Sequence, residues 1–210
     1  MELGDVDFIK GELGDLCAPL HRCLGSAAEL ALEHCQIHGL TGSGFEATQT
    51  HLTRGHLARA LTLEAADGEL GDWQVGIGNN TSLLLRKGCL SVKVLHPISG
   101  GTIPPPGPNR SRRAYYSQTT PGQTGLTADY SALMALWNYD PKSLATEYRI
   151  VRPTRPWPMG ALAMVDIDFL LPQDASDLIK LEFIPDDDNL FLPFELDETD
   201  EEPDAPTSDR

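Results

Sequence analysis

The sequence predicts an α+β fold in which an N-terminal helical pair packs on a predominantly antiparallel sheet of about six strands. In the first 66 residues, apolar side chains recur every three or four positions, which is the spacing of one helix face. From Trp73 onward they alternate with polar or small residues, as in a strand with one buried face. These patterns divide the chain into a helical segment (1–66), a β-rich core (67–184) and an acidic, partly disordered tail (185–210).

The helical segment contains two candidate helices separated by a glycine-rich break at residues 39–44. Proline lacks the N–H that a helix interior needs, so Pro19 predicts a kink or a fresh helix start near Ala18. Ser43 and Glu46 have the spacing of a capping box. The second helix is therefore predicted to begin there and to run to about residue 66.

Three short strands follow in a predicted antiparallel meander over residues 73–96. Asn79-Asn80 and Lys87-Gly88 supply the turns, because Asn and Gly tolerate positive φ. Prolines and glycines in residues 97–110 exclude regular structure there, and a short helix is predicted near 111–118.

The last part of the core completes the sheet. Residues 132–139 form a continuous apolar run, which is typical of a central strand covered on both faces. Two more strands follow, the last over 160–171, and a short helix is predicted near 175–180. On the last strand Asp166 and Asp168 share a face about 7 Å apart, a spacing that suits either a shared cation or a solvated face.

Negative charge is concentrated in the last 30 residues. The net charge is −15, and residues 181–210 carry twelve carboxylates and one arginine, which is −11 and leaves −4 for residues 1–180. Such a segment repels nucleic acid and attracts basic surfaces. Its acidic residues alternate with apolar ones. This pattern favours either a segment that binds a partner, or apolar residues that complete the sheet while the carboxylates keep the protein soluble. The predicted contacts to a basic protein partner are Asp186, Asp187, Asp188, Phe191, Phe194 and Glu195.

A basic and aromatic cluster follows the proline-rich stretch. Guanidinium groups bind phosphate, and tyrosine rings stack on bases. The cluster therefore predicts an alternative function, anion or nucleic-acid binding, through Arg110, Arg112, Arg113, Tyr115 and Tyr116. The net charge of −15 disfavours nucleic acid, and the same arginines can also face water or pair with the chain's own acidic tail.

The third strand of the meander carries Ser91 and Lys93. The order helix, three meandering strands, helix, strand resembles the core of the PD-(D/E)xK restriction-endonuclease-like fold. The resemblance implies two acids around a divalent metal, with a lysine two residues after the second acid. Lys93 matches that lysine, whereas Ser91 stands in place of the acid and the second strand offers none. The resemblance thus implies a degenerate relative without the metal ligands.

Cysteines and histidines are numerous in the N-terminal half. His34 and His38 are one helical turn apart, and zinc prefers such ligands at short spacings. However, the chain has no Cys-x-x-Cys motif, and Cys17, Cys23 and Cys35 fall on the apolar helix face. We therefore expect small apolar core residues, reduced thiols in a cytosolic protein, and no metal or other cofactor.

The sequence contains no complete catalytic or cofactor motif. The nucleophile elbow, the dinucleotide-binding loop, the phosphate-binding loop and the kinase motifs are all missing. No apolar run reaches the roughly 18 residues of a membrane span. We therefore expect a non-catalytic, acidic interaction protein of bacterial type. It would bind and restrain or recruit a basic partner, as toxin-neutralising, immunity or regulatory proteins do.

Overall fold

The computed structural model describes residues 3–78, 81–98, 101–118 and 131–180. Residues 1–180 belong to one compact unit. The helices of the described ranges are α1 (Leu3–Leu13), α2 (Cys17–Ile37), α3 (Glu46–Ala66), α4 (Arg110–Tyr116) and α5 (Ala175–Lys180). The strands are β1 (Gln74–Gly78), β2 (Ser82–Lys87), β3 (Leu90–Leu95), β4 (Ser131–Asp140), β5 (Ala145–Pro153) and β6 (Val165–Leu171). The α+β class is confirmed, while the predicted tail (185–210) lies outside the described residues.

The long helix α2 packs against α3 and against the sheet. It begins at Cys17, so Pro19 lies in its first turn, where a missing N–H costs nothing. The predicted fresh start of a helix near residue 18 is therefore confirmed. The buried face of α2 carries the apolar stripe of the sequence, including Leu20, Cys23, Leu24, Ala27, Ala31 and Cys35. None of the helices in the described ranges is long and apolar enough to cross a membrane.

The capping box predicted for α3 does not form. Phe45 is the N-cap residue, and no side chain caps the helix. The Phe45 N–H donates instead to the Gly42 carbonyl at 3.2 Å, and Gly42 has a φ of 100°. This tight turn places Ser43 outside the cap position, so its hydroxyl does not reach the first N–H groups of α3.

The six strands form one sheet in the order β1-β2-β3-β4-β5-β6. All neighbouring strands are antiparallel except β3 and β4, which are parallel. Parallel neighbours need a crossover connection, and here the connection contains α4. The predicted meander and the predominantly antiparallel sheet are confirmed. The strands β3 and β4 are therefore neighbours in the sheet, although α4 separates them in the sequence.

The central strand β4 is buried on both faces, as its continuous apolar sequence predicts. On one face the sheet packs against α2 and α3. On the other face, which we call the α4 face, a second apolar cluster forms around the helix. This cluster contains Ile103, Tyr116, Met134, Leu136, Val151 and Trp157. The fold is therefore a sheet with a helical layer on one side and α4 with its flanking loops on the other.

The last strand is shorter than predicted, because it begins at Val165 rather than near residue 160. Gly160 has a φ of 85°, and the Ala161 N–H donates to the Pro158 carbonyl at 3.2 Å. The Thr154 N–H then closes the loop on the Met164 carbonyl at 2.9 Å. Residues 155–163 therefore form a loop, in which Ala161 is exposed and Ala163 is half-buried.

Candidate anion-binding site

Polar side chains in and beside α4 cap the helix and fix it to a neighbouring loop and to two strands. The Asn109 side chain accepts a hydrogen bond from the Arg112 N–H at 3.2 Å and caps the helix. The Tyr116 hydroxyl donates to the Pro104 carbonyl at 2.7 Å. At the end of α4, the Gln118 amide N–H groups donate to the Ala132 and Pro153 carbonyls at 2.9 and 2.8 Å. These contacts give α4 a defined position over β4 and β5.

Both tyrosines of the predicted cluster take part in this anchoring. Tyr116 is only 1% exposed, and its ring packs on Trp157 with the centroids 5.1 Å apart. Burial raises the pKa of Tyr116 to about 12. The half-buried Tyr115 directs its hydroxyl at the Ser91 and Leu133 carbonyls, at 3.0 and 2.6 Å. In this arrangement the tyrosines position α4, and the arginines are the groups that it exposes.

The three arginines of α4 are exposed, and one of them, Arg112, lies near a fourth cation on the sheet. Arg112 lies close enough to the half-buried Lys93 to influence its titration: burial lowers the pKa of Lys93, and the positive charge of Arg112 lowers it further. The Lys93 ammonium lies 5.6 Å from the centroid of the Tyr115 ring, a cation–π distance. Lys93 has no carboxylate partner among the described residues.

The strand register adds Arg86 to this group. Leu84 pairs with Lys93, and Arg86 pairs with Ser91, so all four side chains share the α4 face. Arg86 is then the diagonal neighbour of Lys93, at about 7–8 Å between Cα atoms. We use the name cationic surface for Arg86, Lys93, Arg110, Arg112 and Arg113. Arg86 was not among the predicted site residues, although strand alternation and the Lys87-Gly88 turn are sufficient to place it on this face.

Five other cations of the described ranges are paired with carboxylates. The paired residues are Arg22, Lys87, Arg149, Arg152 and Lys180. By contrast, no member of the cationic surface forms an ion pair with a residue in the described ranges. The alternative that these arginines pair with the acidic tail stays a prediction, because residues 181–210 lie outside the described residues.

The two aspartates on β6 each have an arginine. Asp168 forms a bidentate ion pair with Arg149. Asp166 binds Arg152 through two hydrogen bonds of 2.9 Å, and Arg152 also contacts Asp5 at 2.7 Å. A shared cation between the aspartates is therefore not what this geometry favours. The two carboxylates instead hold β5 and β6 together, and Asp5 ties α1 to the same arginine.

The cysteines of the N-terminal half are core residues, as expected. Cys17, Cys23 and Cys35 are buried. Burial raises the pKa of Cys17 and of Cys23 to about 11, which keeps both thiols protonated and weakly nucleophilic. The His34 and His38 rings lie 4.5 Å apart. Within the described ranges, no three His, Cys, Asp or Glu side chains are placed to hold a metal ion.

The residues predicted to bind a partner lie outside the described residues. They are Asp186, Asp187, Asp188, Phe191, Phe194 and Glu195. Their role stays a prediction. The chain matches no protein-family model, no curated protein and no solved structure. The function must therefore be inferred from the site itself.

Proposed function

We propose that this chain is a non-catalytic interaction protein that binds the phosphate backbone of a nucleic acid on its cationic surface. The observation that carries the proposal is the contrast in pairing. The five residues of the cationic surface have no carboxylate partner in the described ranges, whereas Arg149 and Arg152 of β5 are both neutralised.

Phosphate fits the chemistry of this surface. Guanidinium groups bind phosphate oxygens in pairs, and an ammonium group binds them as a point charge. Lys93 is half-buried beside another cation, so an anion would stabilise its charged form. Most of the chain's negative charge lies in residues 181–210, and residues 1–180 carry only −4. The overall charge of −15 therefore does not exclude nucleic-acid binding by residues 1–180.

Charge reversal at Arg112 tests the proposal. A fluorescently labelled oligonucleotide is titrated with the full chain at low salt, and binding is followed by anisotropy. We expect Arg112→Glu to reduce the affinity at least about tenfold and to lower the slope of log affinity against log salt by about 1–2. Arg59→Glu is the matched control, because Arg59 is an exposed arginine on α3 with no ion pair in the described ranges. No binding by the unmodified chain, or equal losses in both variants, would refute the proposal.

A second candidate function rests on the acidic segment. Residues 181–210 carry a net charge of −11, and their apolar residues are interspersed among carboxylates. This supports binding of a basic protein partner through Asp186, Asp187, Asp188, Phe191, Phe194 and Glu195. An empty capture experiment with the full chain in its native lysate would count against it.

A further inference from the structure

A groove of about 340 Å³ lies beside α4. One wall is formed by residues 105–107, the other by residues 156–159, and Arg113 of α4 completes the lining. The walls are rich in proline, with Trp157 between Pro156 and Pro158. This volume is at the lower end of the range of ligand sites, and it suits one or two apolar side chains better than a whole cofactor.

The walls of the groove are rigid. Proline fixes φ, so residues 105–106 and 156–158 lose little conformational freedom when a ligand binds. Trp157 is only 7% exposed and packs on Tyr116, whose hydroxyl in turn holds the Pro104 carbonyl at 2.7 Å. Both walls are therefore tied to the same side chain of α4. A groove that is already formed binds at a lower entropic cost.

The loop that includes the groove wall 156–159 also carries large, exposed apolar side chains. Met159 is 77% exposed, Leu162 is 91% exposed and Met164 is 47% exposed. The loop is held in shape by the hydrogen bond from the Thr154 N–H to the Met164 carbonyl, at 2.9 Å. Exposing this much apolar surface in a fixed loop is unfavourable in water, and such patches mark interaction sites.

The charge beside the groove indicates the chemistry of the partner. Arg113 lines the groove, and Arg155 immediately precedes the wall formed by residues 156–159. Both are exposed, and neither forms an ion pair with a described residue. An apolar partner with carboxylates beside its anchors would therefore complement this surface.

We infer that the groove between residues 105–107 and 156–159 docks an acidic peptide segment of a partner protein. An apolar side chain of that segment enters the groove, and flanking carboxylates pair with Arg113 and Arg155. The exposed Met159 and Leu162 extend the apolar contact. This is a protein-docking surface next to the proposed phosphate-binding surface, and Arg113 is the residue that the two share.

A synthetic peptide tests the inference. The probe is a short fluorescein-labelled peptide in which Leu and Phe are spaced among Asp and Glu, titrated with the full chain. We expect Leu162→Asp and Arg113→Glu each to weaken binding at least about tenfold, because each removes an attractive contact and adds like charge. Leu30→Asp and Arg59→Glu are the matched controls, since Leu30 is 50% exposed on α2 and Arg59 is exposed on α3. The four replaced side chains are exposed, so circular dichroism should be the same for every variant.

Two altered peptides and the oligonucleotide distinguish docking of an acidic peptide from nucleic-acid binding. Replacing Leu and Phe of the probe by Ser, or Asp and Glu by Lys, should abolish binding. Leu162→Asp should leave oligonucleotide affinity within about twofold, because Leu162 is not on the cationic surface. Failure of the acidic peptide to bind, or equal losses in the control variants, would overturn the docking inference alone. If Leu162→Asp weakens only oligonucleotide binding, the groove belongs to the nucleic-acid surface and the inference is wrong.

Discussion

His21 shows how a single polar side chain is accommodated between α2 and the sheet. A carbonyl can only accept, so Nε2–H must donate to the Leu171 carbonyl at 2.9 Å. The Nδ1 atom lies 2.8 Å from the Thr146 hydroxyl and accepts from it in the neutral ring. The ring also meets the edge of Tyr148 with centroids 5.3 Å apart. Burial lowers the pKa of His21, and the two hydrogen bonds only partly offset this effect.

This environment predicts a pH dependence of stability. The unfolded chain takes up a proton at His21 below about pH 6.5, whereas the folded chain resists it. The free energy of unfolding should therefore be highest above that pH and should fall as the pH drops toward the lower pKa of the folded state. Urea unfolding at a series of pH values measures this change in the free energy of unfolding.

Substitution of the histidine isolates this contribution. His21→Gln should flatten the pH dependence and should cost about 1–3 kcal/mol at neutral pH through its disturbed hydrogen bonds. His38→Gln is the control, because His38 is exposed at the end of α2. An unchanged profile in His21→Gln would show that other groups dominate the acid sensitivity.

At the scale of the element, α4 is short and depends on tertiary contacts. A helix of seven residues is too short to be stable by itself in water. Its position is set by the Asn109 cap, by Tyr116 and by Gln118, which bonds to two strands. The arginines of α4 reach Lys93 and the groove only because these contacts hold the helix there.

Removal of one hydroxyl tests this anchoring. Tyr116→Phe leaves the ring in place but removes the donor to the Pro104 carbonyl, so we expect a loss of about 1–3 kcal/mol in the free energy of unfolding. Tyr148→Phe is a matched control, because the buried Tyr148 hydroxyl has no hydrogen-bond partner in the described part of the chain. The control should be neutral or stabilising. Equal costs in urea unfolding would contradict the anchoring role of Tyr116.

At the scale of the whole molecule, charge is distributed unevenly along the chain. Residues 181–210 carry −11, and residues 1–180 carry −4 and include the cationic surface, whose members form no ion pair with a described residue. The two charged regions suit partners of opposite sign. We therefore expect the two proposed partners, a polyanion and a basic protein, to contact different residues of the chain.

Capture from the native lysate tests the contribution of the acidic segment. The full chain should recover a basic protein in stoichiometric amount, and raising the salt concentration should release it. A chain ending at Lys180 should lose the capture, while its thermal unfolding should stay close to that of the full chain. Replacing Asp186, Asp187 and Asp188 by Asn removes charge without truncating the chain, and it should weaken the capture as well. Recovery that is unaffected by either change would place the partner elsewhere.

Local sequence patterns were sufficient for most elements. The alternation after Trp73 predicted β1 to β3, and the pattern near residues 175–180 predicted α5, because periodicity reports directly on one buried face. The prediction failed where local alternatives compete. Ser43 has the spacing of a cap, but a glycine turn displaces it, and Ala161 has the spacing of a strand, but Gly160 turns the chain.

Patterns along the chain were enough to predict every described helix except α1, the six strands and the concentration of acid in the last 30 residues. Only the tertiary structure decided that β3 and β4 are parallel, that Lys93 lies beside Arg112 and that Asp166 and Asp168 each hold an arginine. Periodicity is a property of neighbouring residues, so it can be read along the chain. Pairing across the sheet depends on strand register and on the crossover through α4, which join residues that are far apart in sequence.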